Sequence, residues 1–268
     1  MSVFDTIENK RTEYTKRTVN SLFNTVDFMK DRLIISDNGS CQETLDFYKD
    51  VQNEFIGALE NAPKIIYNGK NLGTAEAINL AWKERLPGEH CIKMDNDVVI
   101  NYDIYINHKG WVREMEEVIE REPKIGQVGL KRKDLMESPT VPDPHFRSRL
   151  VMLPHTNGQR WITVEVCNHI LGSCVMHSSA LLDKVGYLYQ LGVYGFDDSF
   201  MSLRSQKAGF MNVFLPHIDI DHIDDGSNPY TEEKRKLADA VWADYQIIAR
   251  EYVSGKRNVY YNPFINGK

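Results

Sequence analysis

Asp95 and Asp97 stand two positions apart in Met94-Asp95-Asn96-Asp97-Val98, where the apolar run Cys91-Ile92-Lys93-Met94 gives out. Two hard anionic ligands at the carboxyl end of a strand suit a divalent cation that must also hold phosphate oxygens. The pattern alone also describes an ordinary turn, since Asp and Asn are common turn residues. Its company favours chemistry. Asp37 closes the run Leu33-Ile34-Ile35-Ser36 and precedes Asn38-Gly39-Ser40. There it can accept a hydrogen bond from a base N–H, with Gly39 letting backbone approach a ring, or it can simply make a turn. Asn71 and Gly73 flank a helix entrance whose free N–H groups suit phosphate or a sugar hydroxyl, and Thr74 can cap the same helix.

Asp197 and Asp198 follow the flexible stretch Gly192 to Gly195 and open another helix. They either complement the helix dipole or supply a general base, one carboxylate aimed at an acceptor while the other braces a loop. Arg204, two helical turns on, can pair with one of them. His217, Asp219, Asp221 and His222 match no common zinc spacing. A single imidazole completing a metal site begun by Asp97 is the more economical reading.

Elements at the right places are needed to position these groups. Short apolar runs alternate with amphipathic segments through the first half, which predicts β-α-β units and a mainly parallel sheet. Strands are expected at Ser2 to Ile7, Leu33 to Ser36, Lys64 to Tyr67, Cys91 to Met94 and Gly126 to Leu130, five before Lys131. Helices are expected at Thr12 to Phe28, Glu43 to Leu59, Thr74 to Arg85 and Trp111 to Arg121. From Lys131 to Arg160 the periodicity disappears among prolines 139, 142, 144 and 154, and a functional loop is expected. Thr163 to Met176 reads as strand material and Ser178 to Val185 as a short helix. Asp197 to Ala208 is a further helix, closed by Gly209, before a strand at Asn212 to Leu215. Thr231 to Val253 reads as a long amphipathic helix.

A chain of 268 residues can bury a substantial core as one large domain or one domain with an appendage. Its net charge of −6 gives no overall attraction to nucleic acid or anionic membrane. No apolar stretch reaches the ~20 residues of a membrane span, and Met1 to Arg11 holds no signal core, so a cytoplasmic location is expected. Cys41, Cys91, Cys167 and Cys174 lack Cys-x-x-Cys spacing and read as reduced thiols.

From about Val3 to about Ser227 these residues resemble a family 2 glycosyltransferase of the GT-A fold, soluble and non-processive. Val3 to Ser21, with Asn9, Arg11 and Tyr14, is similar to the family's first strand, its Asn-Arg loop and its first helix. Ile34 to Ser40 resembles the strand whose Asp, here Asp37, recognises uracil, and Asn71-Leu72-Gly73 resembles the helix entrance beside the donor. Asp95-Asn96-Asp97 resembles the metal-binding Asp-x-Asp. Gly195-Phe196-Asp197-Asp198, Leu203-Arg204 and Ala208-Gly209-Phe210 resemble the Glu-Asp segment, its Arg and its Gly-aromatic close. His222 with Gly226-Ser227 resembles the metal-binding His near the end of the core. Asp197 stands where the family usually has Glu, and Asp5 replaces an aliphatic residue. Gln159-Arg160-Trp161 precedes the base and lacks the spacing of processive synthases.

The resemblance implies an α/β, GT-A-type nucleotide-binding fold: a central mainly parallel sheet flanked by helices, plus a C-terminal helix. Residues 1–227 would be catalytic, with 1–130 binding the nucleotide-sugar and 131–227 carrying acceptor and base, and 228–268 a helix and tail. It implies inverting transfer of one sugar from a UDP-sugar with Mn2+ or Mg2+ held by Asp97, His222 and Asp95. Asp198, or its neighbour Asp197, would be the base. Thr6, Asn9, Arg11, Asp37, Asn71, Gly73, Asp95 and Asn96 would bind the donor.

The expected acceptor is a glycan or small molecule. Lys131, Arg132, Lys133, Arg147, Arg149 and Arg160, with Phe146 and Trp161, make a basic and aromatic loop. It can grip an anionic acceptor, including a hydroxymethylated pyrimidine in DNA, or be a solvated surface. Lys256, Arg257, Tyr260, Tyr261 and Phe264 in the tail add to the nucleic-acid option. A non-catalytic sugar-nucleotide-binding module is a further alternative, although it would need no base. A nucleotidyltransferase would show a Gly-rich phosphate loop near the amino terminus, and there is none.

Overall fold

The computed structural model describes residues 1–55, 63–100, 110–134, 149–153 and 161–265. The first sheet is small and parallel, ordered β1 (Ser2–Val3), β2 (Ile34–Asp37), β3 (Lys64–Tyr67). Helices α1 (Thr12–Thr25) and α2 (Gln42–Phe55) connect and cover it, and Val3, Val19, Ile35, Tyr48 and Val51 fill the space between. The buried stripe of α1 is unusually polar, with Thr12, Thr15 and Thr18 alongside Val19 and Leu22. Thr15 bonds Asp5 and Asn96 and Thr12 bonds Thr44, while the Thr18 hydroxyl is buried with no hydrogen-bond partner.

The second sheet has seven strands: β4 (Cys91–Met94), β9 (Cys174–His177), β6 (Ile125–Arg132), β10 (Met211–His222), β8 (Ile162–Cys167) and β7 (Arg149–Leu153) in order, with β5 (Val98–Ile100) paired to β10. The expected α/β architecture with a helix-flanked sheet stands, but its pairing is less parallel than the alternation of elements predicts. Only β6 and β10 run parallel here; the pairs β4–β9, β6–β9, β8–β10, β7–β8 and β5–β10 are antiparallel. The strands of the second half arrive by hairpins and returns, which local periodicity does not reveal.

Helix α4 (Trp111–Arg121) packs Trp111, Met115 and Val118 against Val128, Leu130, Val213 and Leu215 of this sheet in the largest core cluster. On the other face lie α3 (Thr74–Trp82), α5 (Ser179–Val185) and α6 (Asp197–Lys207), joined by Ile78, Trp82, Leu181, Val185 and Met201. Helix α7 (Pro229–Val253) is capped by Asn228, whose side chain accepts from Tyr230 N–H, with proline at the first turn where its missing donor costs nothing. It rests Ile248 and Tyr252 on Phe200 of α6. Among the described residues no helix is long and apolar enough to cross a membrane.

Three differences from expectation matter for the site. The first strand is shorter, ending at Val3. Val98–Ile100 and Arg149–Leu153 are strands, the second within the stretch read as loop. The strand expected to stop at Leu215 continues to His222, because a register shift between Leu215 and Asp219 absorbs Pro216 while Ile218 and Ile220 stay buried.

Candidate functional site

Register explains why Asp97 and His222 meet. Strand β5 follows Asp97 directly, and its antiparallel pairing sets Val98 opposite His222. The peptide N–H of Ile223 then bonds the Asp97 carbonyl at 2.9 Å, and His222 Nε2 lies 3.5 Å from Asp97 Oδ2. Arg11, at the entrance of α1, is buried between Asp97 Oδ2 at 2.5 Å and the carboxylate of Asp224. Burial alone would raise the Asp97 carboxyl, but Arg11, His222 and Lys234 together hold it below the usual range. Its other oxygen, Oδ1, is buried with no hydrogen-bond partner, as is His222 Nδ1.

Arg11, Asp97, His222 and Lys234 line a cavity of about 220 Å³ that also receives Lys93, Asp95, Asp197 and Asp198. Lys93 projects from β4 and is buried at 4% exposure. Its ammonium touches Gly172 O at 3.1 Å, Asp197 Oδ2 at 3.2 Å and Asp95 Oδ1 at 3.3 Å. Burial would lower its pKa, but Asp197 and Asp95 reverse the shift and keep it charged. Asp198 is the more open carboxylate of its pair, with 22% of its side chain exposed against 8% for Asp197. Gly172 N–H donates to its Oδ2 at 3.2 Å and Ser199 N–H to its Oδ1 at 2.7 Å, while His169 Nε2 stands 3.7 Å away. Against the effect of burial, His169, Lys93 and the Ser199 N–H hold this carboxyl well below the usual range.

Another part of the cavity is built from loops. Asn71 lines the cavity, its Oδ1 accepting from Gly73 N–H at 2.9 Å. Gly73 sits at φ 85°, and a Cβ there would come within 2.6 Å of Val193 Cα, so only glycine fits the entrance of α3. Asn38 reaches the cavity, bonding Gly73 O at 3.2 Å. Asp37 is 1% exposed, and its oxygens accept from Gly39 N–H, Ser40 N–H and Tyr48 OH. It shapes the turn that presents Asn38 and does not itself line the cavity. Thr6 and Asn9 likewise stay off the wall: each side chain accepts from the other's N–H, and Asn9 Nδ2 donates to Phe4 O. They stiffen the loop before Arg11. Asn96 links Arg11 at 3.2 Å to Asp5 at 3.0 Å and Thr15 at 2.8 Å. Asp5 is fully buried, and burial raises its carboxyl to about 6.

Several expected residues lie elsewhere. Arg204 does not pair with Asp197 or Asp198; it is fully buried and donates to the carbonyls of Val185, Tyr187 and Val259, tying α5 to the tail. His217 bonds Glu114 of α4 at 2.8 Å. Arg147 and Arg160 lie outside the described residues. Arg149 and Trp161 are exposed at opposite ends of the β7–β8 hairpin, roughly 15 Å apart along the strands, and neither lines the cavity.

Lys93, His169, Asp224, Tyr230 and Lys234 were not foreseen. Lysine inside a short buried strand is a readable anomaly, because charged side chains are rarely interior without a partner. Lys234, on the cavity wall, is indistinguishable in sequence from exposed Arg235 and Lys236. Tyr230 and Lys234 also make the segment after residue 227 part of the cavity wall.

The donors fit a divalent cation: carboxylates and imidazole suit Mn2+ or Mg2+, and Asp97 Oδ1 is unpaired. Among the described residues no three His, Cys, Asp or Glu side chains form a ready cage.

No curated protein matches the chain in sequence. Solved structures of similar fold include a mannosyltransferase, PcManGT from Pyrobaculum calidifontis, in complex with GDP-Man and Mn2+, at 13% identity and a TM-score of 0.60, covering 88% of this chain and 60% of that one. GalNAc-T7 with UDP, GalNAc and Mn2+ has 15% identity, a TM-score of 0.55 and coverages of 82% and 43%. S. aureus TarS in complex with UDP-GlcNAc has 16% identity, a TM-score of 0.53 and coverages of 84% and 60%. The chain thus spans less than two thirds of the length of each, and the likeness is one of GT-A-type fold. The sequence profile of glycosyl transferase family 2 matches residues 7–183, more than half of the protein. The chain belongs to glycosyl transferase family 2.

Proposed function

We propose that the protein transfers one sugar from a UDP-sugar to the hydroxyl of a glycan or small-molecule acceptor, with inversion and with Mn2+ or Mg2+. One observation carries this reading: Asp95, Asp97, His222 and Asp198 line a single cavity together with Arg11, Lys93 and Lys234. The similar folds seen with UDP and Mn2+ or with UDP-GlcNAc support it by analogy.

Asn38, Asn71 and the N-terminus of α3 bind the nucleoside and its phosphates. Arg11 and Lys234 supply fixed positive charge near the diphosphate. A cation held by Asp97, His222 and Asp95 would neutralise charge growing on the departing diphosphate. Asp198 takes the proton of the acceptor hydroxyl as its oxygen bonds the anomeric carbon on the face opposite the diphosphate. The bond from that carbon to the diphosphate oxygen breaks, and the oxygen leaves with the electron pair. Asp197 remains paired with Lys93 and braces the loop.

The test is thermal stabilisation by a panel of nucleotide-sugars with and without Mn2+. Stabilisation by UDP-sugars that requires the divalent ion supports the reading, and no response to any nucleotide-sugar overturns it. Titration with duplex and single-stranded DNA at low and high salt checks the other acceptor class.

A further inference from the structure

Beside Asp198 the cavity wall is aromatic. Phe196 lines it two positions before Asp198, and its ring stacks on Tyr245 of α7 with centroids 4.3 Å and planes 16° apart. Trp242, one turn earlier on α7, lies 5.4 Å from both rings and is 47% exposed. Phe196 holds its place at φ 63°, a left-handed conformation that bulky side chains rarely adopt. Such strain persists only where the surroundings impose it, and it concentrates at binding sites. The loop is laid closely on α7: a Cβ on Gly195 would stand 3.4 Å from Ala238 Cβ.

We propose that Phe196, Tyr245 and Trp242 form the acceptor subsite, on which a neutral sugar ring of the acceptor stacks with its reacting hydroxyl toward Asp198. This rests on the transferase reading above. All three residues lie outside the segment 7–183 matched by the family profile. The acceptor oxygen must reach the base, and Phe196 on the cavity wall continues outward into Tyr245 and Trp242. A pyranose presents C–H groups on one face, which suit the electron-rich face of a flat aromatic ring while the hydroxyls stay free at the rim. Charge argues for a neutral ring. The neighbours of Trp242 on the helix surface are Ala238, Asp239, Tyr245 and Gln246, none of them a cation to pair with phosphate.

Of the four tryptophans, Trp82 and Trp111 are buried while Trp161 and Trp242 are exposed. Trp161→Phe therefore leaves Trp242 as the exposed reporter. With UDP present, methyl glycosides of glucose, galactose and N-acetylglucosamine are titrated against this variant. At least one should blue-shift the emission, and Trp161→Phe/Trp242→Phe should not respond. In transfer to that glycoside, Trp242→Ala should raise KM about tenfold, with UDP affinity as the check on folding. The proposal is overturned if no glycoside shifts the emission or if Trp242→Ala keeps the wild-type KM. It is also overturned if only an oligonucleotide containing hydroxymethylcytosine responds. A glycoside response without transfer from any nucleotide-sugar would instead sink the transferase reading and leave the sugar platform standing.

Discussion

Lys93 Nζ lies 3.2 Å from Asp197 Oδ2, with both side chains nearly excluded from water. The pair joins the carboxyl end of β4 to the start of α6, so one contact fixes how these two elements meet at the cavity. Removing Lys93 leaves the buried Asp197 carboxylate uncompensated. Lys93→Met should cost about 3–5 kcal/mol. Lys93→Met/Asp197→Leu should recover much of that loss, as read from denaturation midpoints. A cost for Lys93→Met below about 1 kcal/mol, the range of an exposed pair, would refute the pairing.

Asp198→Asn keeps shape and hydrogen bonding while removing the proton acceptor. Transfer should fall about 10²–10⁴-fold with UDP binding nearly intact. Asp197→Asn should act mainly through stability. If Asp197→Asn carries the catalytic loss and Asp198→Asn is mild, the roles are reversed.

Chelation of divalent ions should abolish transfer, and Asp97→Ala should do the same even with Mn2+ in excess. The second variant also strands Arg11 beside Asp224, so His222→Ala is the cleaner companion. Undiminished turnover in excess chelator would remove the cation from the mechanism.

Asp37 accepts three hydrogen bonds that shape the turn before α2. Asp37→Asn retains an oxygen for the two N–H groups and should bind UDP nearly as well as the wild type. Asp37→Ala should bind about tenfold more weakly, through loss of the turn that presents Asn38. Calorimetry showing equal, large losses for both would point instead to a direct carboxylate contact with uracil.

The buried Asp5 carboxyl is raised to about 6 from an ordinary value of 3.8. Below the ordinary value both folded and unfolded chains carry the proton. As pH rises toward the folded value the unfolded chain releases it first, so this group's contribution to stability is lost across that window. The stability of Asp5→Asn relative to wild type should therefore climb by roughly 3 kcal/mol between about pH 4 and 6. A difference that is flat with pH would show that Asp5 is ionised throughout.

Legibility followed the range of the interactions. That Asp95, Asp97 and Asp198 lie where elements end, at the cavity, is readable from the local sequence. The place of His222 depends on β10 running through Pro216 and pairing with β5, and that pairing joins distant segments. The cluster from His217 to His222 suggests one imidazole beside Asp97, and only the family resemblance singles out His222. Arg204 was misread for the same reason. Helical spacing brings it near Asp197, but its three acceptors include the carbonyl of Val259, which the returning tail supplies. Asp37 shows the converse: the plain turn, visible in Asp-Asn-Gly-Ser, is what the carboxylate makes, and the residue beside it faces the cavity.

The closure of Arg11 onto Asp224 joins positions 213 residues apart, and Asn228 reaches back to Asn9 across 219. A ribosome adding about 5–20 residues per second needs on the order of ten seconds or more to supply those partners. Until then the Arg11 guanidinium has only half of its counter-charge, and Lys234 does not yet exist. A nascent chain thus carries the Asp-x-Asp long before the cavity around it is walled. The cavity is completed late in synthesis, as α7 docks.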